Sequence, residues 1–275
     1  MNRLVLTLLY VPADRPDRVE KALASGADVV IVDLEDAVAP AHKDPARAEA
    51  RRLLAAVRRP VQVRVNHVST PWHGEDVAML ADLPEQVGAR VPKVESPEQV
   101  RELASALPGR SLHLLLESAL GVERAFEIAT ASGQVASIGL GEADLRSDLR
   151  LTDDAGLAWA RSRVVVAARA AQLPSPHMSV YPHVKDADGL TASCREGRAL
   201  GFLGRTAIHP AQLATIRAAF RPTDAEVERA RTVVARVGDA RTDGVGAIAL
   251  EDGTFLDVAM VDQARAVLAL ADRAD

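Results

Sequence analysis

Carboxylates, one arginine and one lysine gather where short apolar runs end. The run Val29–Leu34 closes as Ile31-Val32-Asp33-Leu34-Glu35-Asp36. Alternation along a strand puts Ile31, Asp33 and Glu35 on one face and Val30, Val32 and Leu34 on the other. In Val61-Gln62-Val63-Arg64-Val65-Asn66 the valines share one face, so Gln62, Arg64 and Asn66 share the opposite one. Lys93 and Glu95 share a face at the end of Ala89–Val94, Glu117 ends Leu114-Leu115-Leu116, and Gly141-Glu142-Ala143-Asp144 follows Ala136–Leu140. Asp33, Glu35, Asp36, Glu95, Glu117 and Asp144 therefore stand with Arg64 and Lys93. Each alone reads equally well as a structural ion pair or as an acid at a helix amino end; the set points to a site. Crowded carboxylates in a low dielectric repel and take up protons unless a cation joins them. The seven histidines lack ligand spacing and Cys194 is the one cysteine, so the candidate donors are all oxygen. Such donors suit a hard cation, and Mg²⁺ commonly takes one or two carboxylates plus waters and substrate oxygens. Glu117 and Asp144, on successive strands, are the natural pair.

The elements that must position these groups recur with a regular beat. Strand-like runs are expected at Leu4–Val11, Val29–Leu34, Val61–Val65, Ala89–Val94, Leu112–Leu116, Ala136–Leu140, His177–Val180 and Gly204–Ile208. Helix-like stretches alternate with them, among them Glu98–Leu107 after Ser96-Pro97, Val122–Ala131 and Leu157–Ala171. Eight such repeats predict an α/β fold, a TIM (β/α)8 barrel with its active-site mouth at the carboxyl ends of the strands. A doubly wound open sheet is the rival, weakened by the lack of a Gly-x-Gly-x-x-Gly turn. The barrel should occupy residues 1–220. Residues 221–275 should form a helix and hairpin extension of the same domain, either a lid or an arm onto another subunit. Thr223 with Glu226 reads as a capping box for a helix to about Val237. A glycine-containing hinge over 238–246, a hairpin around Glu251-Asp252-Gly253 and a helix from Asp262 to Leu270 should follow.

Composition narrows the function classes. The 275 residues are 48% hydrophobic and 26% charged, which fits one large globular domain. Net charge is −5 and aromatic content 3%, so neither a basic field nor a base-stacking platform for nucleic acid is indicated. The first apolar run meets Pro12 too early to cross a bilayer or to serve as a signal peptide; no membrane partner and a cytoplasmic location are expected. Cys194 reads as packing, His209 as a structural hydrogen-bonding residue, and His67 and His73 as loop residues. There is no Gly-x-Ser-x-Gly elbow and no phosphate loop.

With those residues in order, the sequence resembles the citrate lyase beta subunit and its relatives, CitE-like acyl-CoA lyases of the HpcH/HpaI aldolase superfamily. The resemblance runs from about Leu9 to Leu268. It is carried by Tyr10–Pro16, the Asp-Leu-Glu-Asp of Val30–Val38, Val63–Asn66, Pro92–Ser96, Leu116–Gly121, Gly139–Leu149 and Gly201–Pro210. It implies a modified TIM barrel, usually a homotrimer, and cleavage or formation of a carbon–carbon bond in short acyl thioesters. Carried over by position, Glu117 and Asp144 match the Mg²⁺ ligands, and Arg64 the clamp on the keto acid, with Glu117 also at the substrate. Asp257, in Phe255-Leu256-Asp257, matches an aspartate that reaches a neighbour's active site, which favours the arm reading of the tail. It is the candidate general acid–base, with Glu35 or Asp36 as alternatives that otherwise orient Arg64. Ala13, Arg150, His183 and Arg205 depart from the family pattern, the last two in ways that bear on thioester specificity.

The expected function is a Mg²⁺-dependent lyase splitting a citryl-, citramalyl- or malyl-type thioester into a keto acid such as oxaloacetate and an acetyl thioester. Three alternatives stay open: a malyl-CoA-type thioesterase, a malate-synthase-like condensing enzyme, and a complex-dependent subunit that binds keto acid. The expected partners are a keto acid and an acyl-CoA or acyl-carrier thioester.

Overall fold

The structure is a computed structural model and describes residues 4–242, 248–249, 255–256 and 258–272. Strands and helices alternate as β1 (Thr7–Pro12), α1 (Pro16–Ala24), β2 (Val29–Asp33), α2 (Lys43–Leu54), β3 (Val61–Arg64), α3 (His73–Ala81), β4 (Val87–Val91) and α4 (Pro97–Ala106). They continue with β5 (Leu112–Leu116), α5 (Ala119–Glu123), α6 (Ala125–Ala129), β6 (Val135–Leu140), α7 (Glu142–Asp148), α8 (Ala158–Ala170), α9 (Ala187–Ala199), β7 (Arg205–Ala207) and α10 (Leu213–Phe220). The seven strands form one parallel sheet in the order β6-β5-β4-β3-β2-β1-β7. β2 and most of β1, β3, β4 and β5 are buried, because their β-branched and leucine side chains are covered on both faces.

The segment expected as a strand at His177–Val180 contributes one parallel bridge, Met178 to Arg205, in place of a ladder. Pro174 and Pro176 precede it and have no N–H to give. Met178 N–H still donates to Gly204 O (3.0 Å) and Met178 O accepts from Thr206 N–H (3.0 Å). Toward β6 the link is a side chain: Ser179 Oγ donates to Leu140 O at 2.5 Å.

Helix starts follow local chemistry. Ser96 accepts from Gln99 N–H while Gln99 Oε1 accepts from Ser96 N–H, a capping box ahead of α4 with Pro97 in its first turn. Ser118 caps α5. The single helix expected over Val122–Ala131 is two short ones that meet at Arg124, whose backbone (φ −88°, ψ 12°) leaves the helical region. His73 is the first residue of α3, not a loop residue; its Nδ1 lies 2.8 Å from Asn66 O and ties the helix start to the end of β3.

Contacts divide the chain at Ala219/Phe220. The C-terminal unit holds α11 (Asp224–Thr242), a two-residue antiparallel pair β8 (Ile248–Ala249) and β9 (Phe255–Leu256), and α12 (Val258–Asp272). Thr223 and Glu226 form the expected box: Glu226 N–H donates to Thr223 Oγ1 (3.2 Å) and Thr223 N–H to Glu226 Oε2 (2.7 Å). α11 runs through Gly238 to Thr242, past the expected hinge start, since one interior glycine costs a helix only about 1 kcal/mol. Ala230 and Val233 of α11 pack against Val261 and Ala264 of α12 to give this unit its own small core. Glu251-Asp252-Gly253 and Asp257 lie outside the described residues.

Candidate active site

Strand pairing lines up one polar row across the sheet: Asp33, Arg64, Arg90, His113 and Ser137 are successive register partners from β2 to β6. Neighbouring strands lie about 4.8 Å apart, so these side chains stand side by side on one face. Arg64 donates from Nε to Asp33 Oδ1 (2.8 Å) and from Nη2 to Asp33 Oδ2 (2.6 Å), a two-bond fork with a side chain that is nearly inaccessible. Its Nη1 donates to Asp36 Oδ2 (3.1 Å) and stands 2.9 Å from Glu35 Oε2, an ion pair whose angle does not make a hydrogen bond. Burial opposes the guanidinium's charge, but the Asp33 hydrogen bond and charge, with Glu35, outweigh it and hold the pKa above its ordinary value. The guanidinium also lies over the Tyr10 ring, 5.0 Å from its centroid.

Two lysines fix the turn after β2. Lys43 of α2 donates to Leu34 O (2.7 Å) and Glu35 O (2.6 Å) and is itself buried, which lowers its pKa by desolvation. Lys93 donates to Glu35 Oε1 at 2.5 Å. Glu35 titrates above the usual carboxylate range because burial outweighs Arg64 and Lys93. Lys93 has φ +53°, in the left-handed region, so the strand's alternation stops before it. That corrects the expectation that Lys93 and Glu95 share a face: Lys93 turns to Glu35, while Glu95 accepts from Ser118 Oγ (2.6 Å) and does not line the cavity below.

Glu117, at the end of β5, is 4% exposed. Lys93 N–H donates to its Oε2 at 3.0 Å. Its Oε1 faces Gly141, where any Cβ would collide with it; the absence of that carbon is what lets the carboxylate sit there. Burial, then the charge of Glu35, push its pKa up to about 7, with Asp144 adding to the same effect and Lys93 opposing it. Asp144, in the first turn of α7, has no hydrogen bond or ion pair with other described residues and lines the same cavity. The first turn of α7 is held from α8: Arg161 grips Glu142 with two bonds, 2.8 and 2.9 Å.

The cavity measures about 950 Å³. Asp33, Asp36, Arg64, Glu117 and Asp144 all line it; Glu35 sits behind them as partner of Arg64 and Lys93. Among the described residues, no three His, Cys, Asp or Glu side chains form a metal cage; Glu117 and Asp144 are two carboxylates on the wall of one cavity. Asp257 cannot be placed, being outside the described residues. Cys194 is buried and packs on Arg205, with its pKa raised by desolvation. His209 caps the turn after β7, accepting from Ala211 N–H.

A family model described as HpcH/HpaI aldolase/citrate lyase matches residues 6–210. The chain belongs to the HpcH/HpaI aldolase/citrate lyase family. Over 272 residues this family member is 37% identical to a (3S)-malyl-CoA thioesterase of Cereibacter sphaeroides, covering 97% of the chain and 94% of that protein. It is 33% identical to the citrate lyase subunit beta of Leuconostoc mesenteroides over 98% of the chain and 94% of the relative. A crystal structure of the protein CitE from Mycobacterium tuberculosis, in complex with magnesium, acetoacetate and coenzyme A, superposes with TM-score 0.85 at 33% identity, covering 98% of each chain.

The structure brings Arg64, Glu117 and Asp144, the residues named from the sequence, to one cavity, and adds to them Tyr10, Lys43, Arg90 and the Arg161–Glu142 brace, which the sequence did not point to. Tyr10 and Arg90 sit mid-strand and carry no end-of-strand signal. Lys43 and Arg161 sit on helices, where a basic residue reads as solvated surface. The alternation that turned Arg64 inward could also have found Arg90: on β4 the side chain two residues before Pro92 faces inward as well.

Proposed function

We propose that the chain is a Mg²⁺-dependent carbon–carbon lyase acting on a short hydroxyacyl thioester, with a keto acid and an acetyl thioester as products. The observation that supports this reading most is Glu117. It is a buried carboxylate pushed up to about 7 that a glycine makes room for, in one cavity with Arg64 and with Asp144, which has no partner among the described residues. A carboxylate held so far from water gains most from a divalent cation, and a two-carboxylate edge with open positions fits Mg²⁺. Glu117 and Asp144 would hold the ion, which when bound supplies Lewis-acid polarisation of the substrate oxygens.

In the cleavage, the bond between the carbinol carbon and the carbon next to the thioester carbonyl breaks. The hydroxyl proton leaves, its oxygen becomes a ketone, and the bonding pair becomes an enolate that takes up a proton. Arg64, already aimed by Asp33, Glu35 and Asp36, keeps N–H groups for the keto-acid carboxylate or the developing alkoxide. Its fork to Asp33 costs no reorganisation as charge develops. Lys93 neutralises Glu35 and, through its main-chain N–H, orients Glu117. Asp257 of the C-terminal segment is assigned the proton transfers at the hydroxyl and the enolate carbon.

Around this site we infer a (β/α)8 barrel in which the Met178 bridge and Ser179 stand for the eighth stave, with the C-terminal unit as an arm to a neighbouring subunit. A homotrimer is the proposed assembly. In support, Leu120, Phe126, Trp159 and Val166 are exposed large apolar side chains on three helices, α5, α6 and α8, that pack together. The proposed location is the cytoplasm; among the described residues no helix is long and apolar enough to cross a membrane.

The test is a panel of citryl-, citramalyl- and malyl-CoA with and without Mg²⁺, read by product mass. Keto acid plus acetyl-CoA, formed only with the metal, is the expected result. The similarity to a malyl-CoA thioesterase favours a second reading. Free CoA with an intact hydroxy acid would support that one and overturn the lyase.

A further inference from the structure

The guanidinium of Arg90 is out of balance with its surroundings. It is 8% exposed, lines the same cavity as Arg64, and has no carboxylate partner among the described residues. Its Nε donates to Tyr10 Oη (2.9 Å) and its Nη1 to Gln62 Oε1 (3.1 Å), both neutral. Nη2 has no hydrogen-bond partner among the described residues, yet it is not among the sealed, unsatisfied atoms, so it opens to the cavity. The next side chain in the row, His113, bonds to Ser137 and cannot supply a negative charge. Arg64, one strand away, is matched by three carboxylates. Both cations face the Tyr10 ring, at 5.0 and 5.6 Å. A buried cation without an anion is costly, and it persists where a ligand brings the anion.

On the reading given under Proposed function, we propose that Arg90 receives the distal carboxylate of the keto-acid fragment, so that the site selects a four-carbon keto diacid over a keto monoacid. Arg64 and the Glu117–Asp144 edge take the keto end that both kinds of acid share. The spacing of adjacent strands, about 4.8 Å, is close to the span between the carboxylates of such a diacid. Oxaloacetate and pyruvate form a matched pair of probes, differing only in that carboxylate.

The experiment is calorimetric titration of the full-length protein with freshly prepared oxaloacetate and with pyruvate, both in Mg²⁺, for wild type, R90Q and R90K. A charge-assisted fork predicts that wild type binds oxaloacetate at least about tenfold tighter than pyruvate. R90Q loses that preference while its pyruvate affinity stays within about threefold, which also shows that the site remains folded. R90K, which keeps the charge without the fork, retains part of the preference and serves the same comparison if R90Q does not fold. Equal wild-type binding of the two acids, or a parallel loss of both in R90Q, overturns the role of Arg90 and leaves the lyase reading standing. Failure of wild type to bind either acid with Mg²⁺ overturns both.

Discussion

The two sides of the cavity are built on opposite principles. On the β2–β3 side every charge is matched: Asp33, Glu35 and Asp36 meet Arg64 and Lys93 at 2.5–3.7 Å, and Lys43 pins the turn that carries the acids. On the β4–β6 side the charges are left over: Glu117 is buried and pushed toward neutrality, Asp144 has no protein partner among the described residues, and Arg90 has only neutral ones. A matched network rigidifies; an unmatched one waits for something to bind. The first side acts as a fixed frame that aims Arg64, and in the proposed reading the second is where metal and substrate would complete the electrostatics.

The largest expected effect strikes the unmatched side. E117A should lower kcat/KM by roughly three to four orders of magnitude, the loss of a Lewis-acid site, while leaving thermal stability near wild type. Turnover that persists without added metal would remove the distinction between the sides. Next comes the frame. D33A leaves the Arg64 guanidinium without its fork in a buried place and should destabilise the fold by about 3–5 kcal/mol in urea unfolding. A change under 1 kcal/mol would mean the frame is not holding the structure. G141A is subtler: the new Cβ displaces Glu117 Oε1 and should weaken Mg²⁺ binding about 10- to 100-fold by calorimetry, without unfolding the protein.

The smallest effect is on acid stability and tests His113 on β5 and His177 beside the Met178 bridge. Burial first, then Arg90, push the His113 pKa down to about 3; burial, against the hydrogen bond to Val5 O and with help from Arg90, pushes that of His177 down to about 4. Both residues are half-buried, and each ring is tied to the protein, His113 to Ser137 Oγ (2.9 Å) and His177 to Val5 O (3.1 Å). With native values below the unfolded value near 6.5, the unfolded chain takes up these protons first. Stability therefore falls as pH drops from about 6.5 toward 3. H113Q should flatten that slope by roughly 1 kcal/mol per pH unit between pH 6 and 4, measured by urea midpoints across pH. An unchanged slope would place His113 in contact with solvent.

Much of this was legible in the chain itself. Strand–helix alternation gave the parallel sheet, and the serine–proline and threonine–glutamate pairs at Ser96 and Thr223 marked real helix starts. Alternation in Val61–Asn66 turned Arg64 toward the inner face. Less was legible wherever the backbone left ideal geometry. The positive φ of Lys93 separated it from Glu95, and the prolines before Met178 reduced an expected strand to one bridge.

The sequence by itself determined that Arg64 faces inward, where several helices begin, and that Glu117 and Arg64 stand at strand ends with Asp144 a few residues beyond one, because alternation and capping are local rules set by a few neighbouring residues. Only the tertiary structure decided who meets whom across strands. Register joins Asp33, Arg64, Arg90 and His113 into one row, and it is fixed by the packing of the whole sheet, not by any segment of it. That same packing buries Glu117, surrounds Arg64 with three carboxylates and leaves Arg90 with only neutral partners among the described residues, three facts that depend on distance through space and so have no signature along the chain.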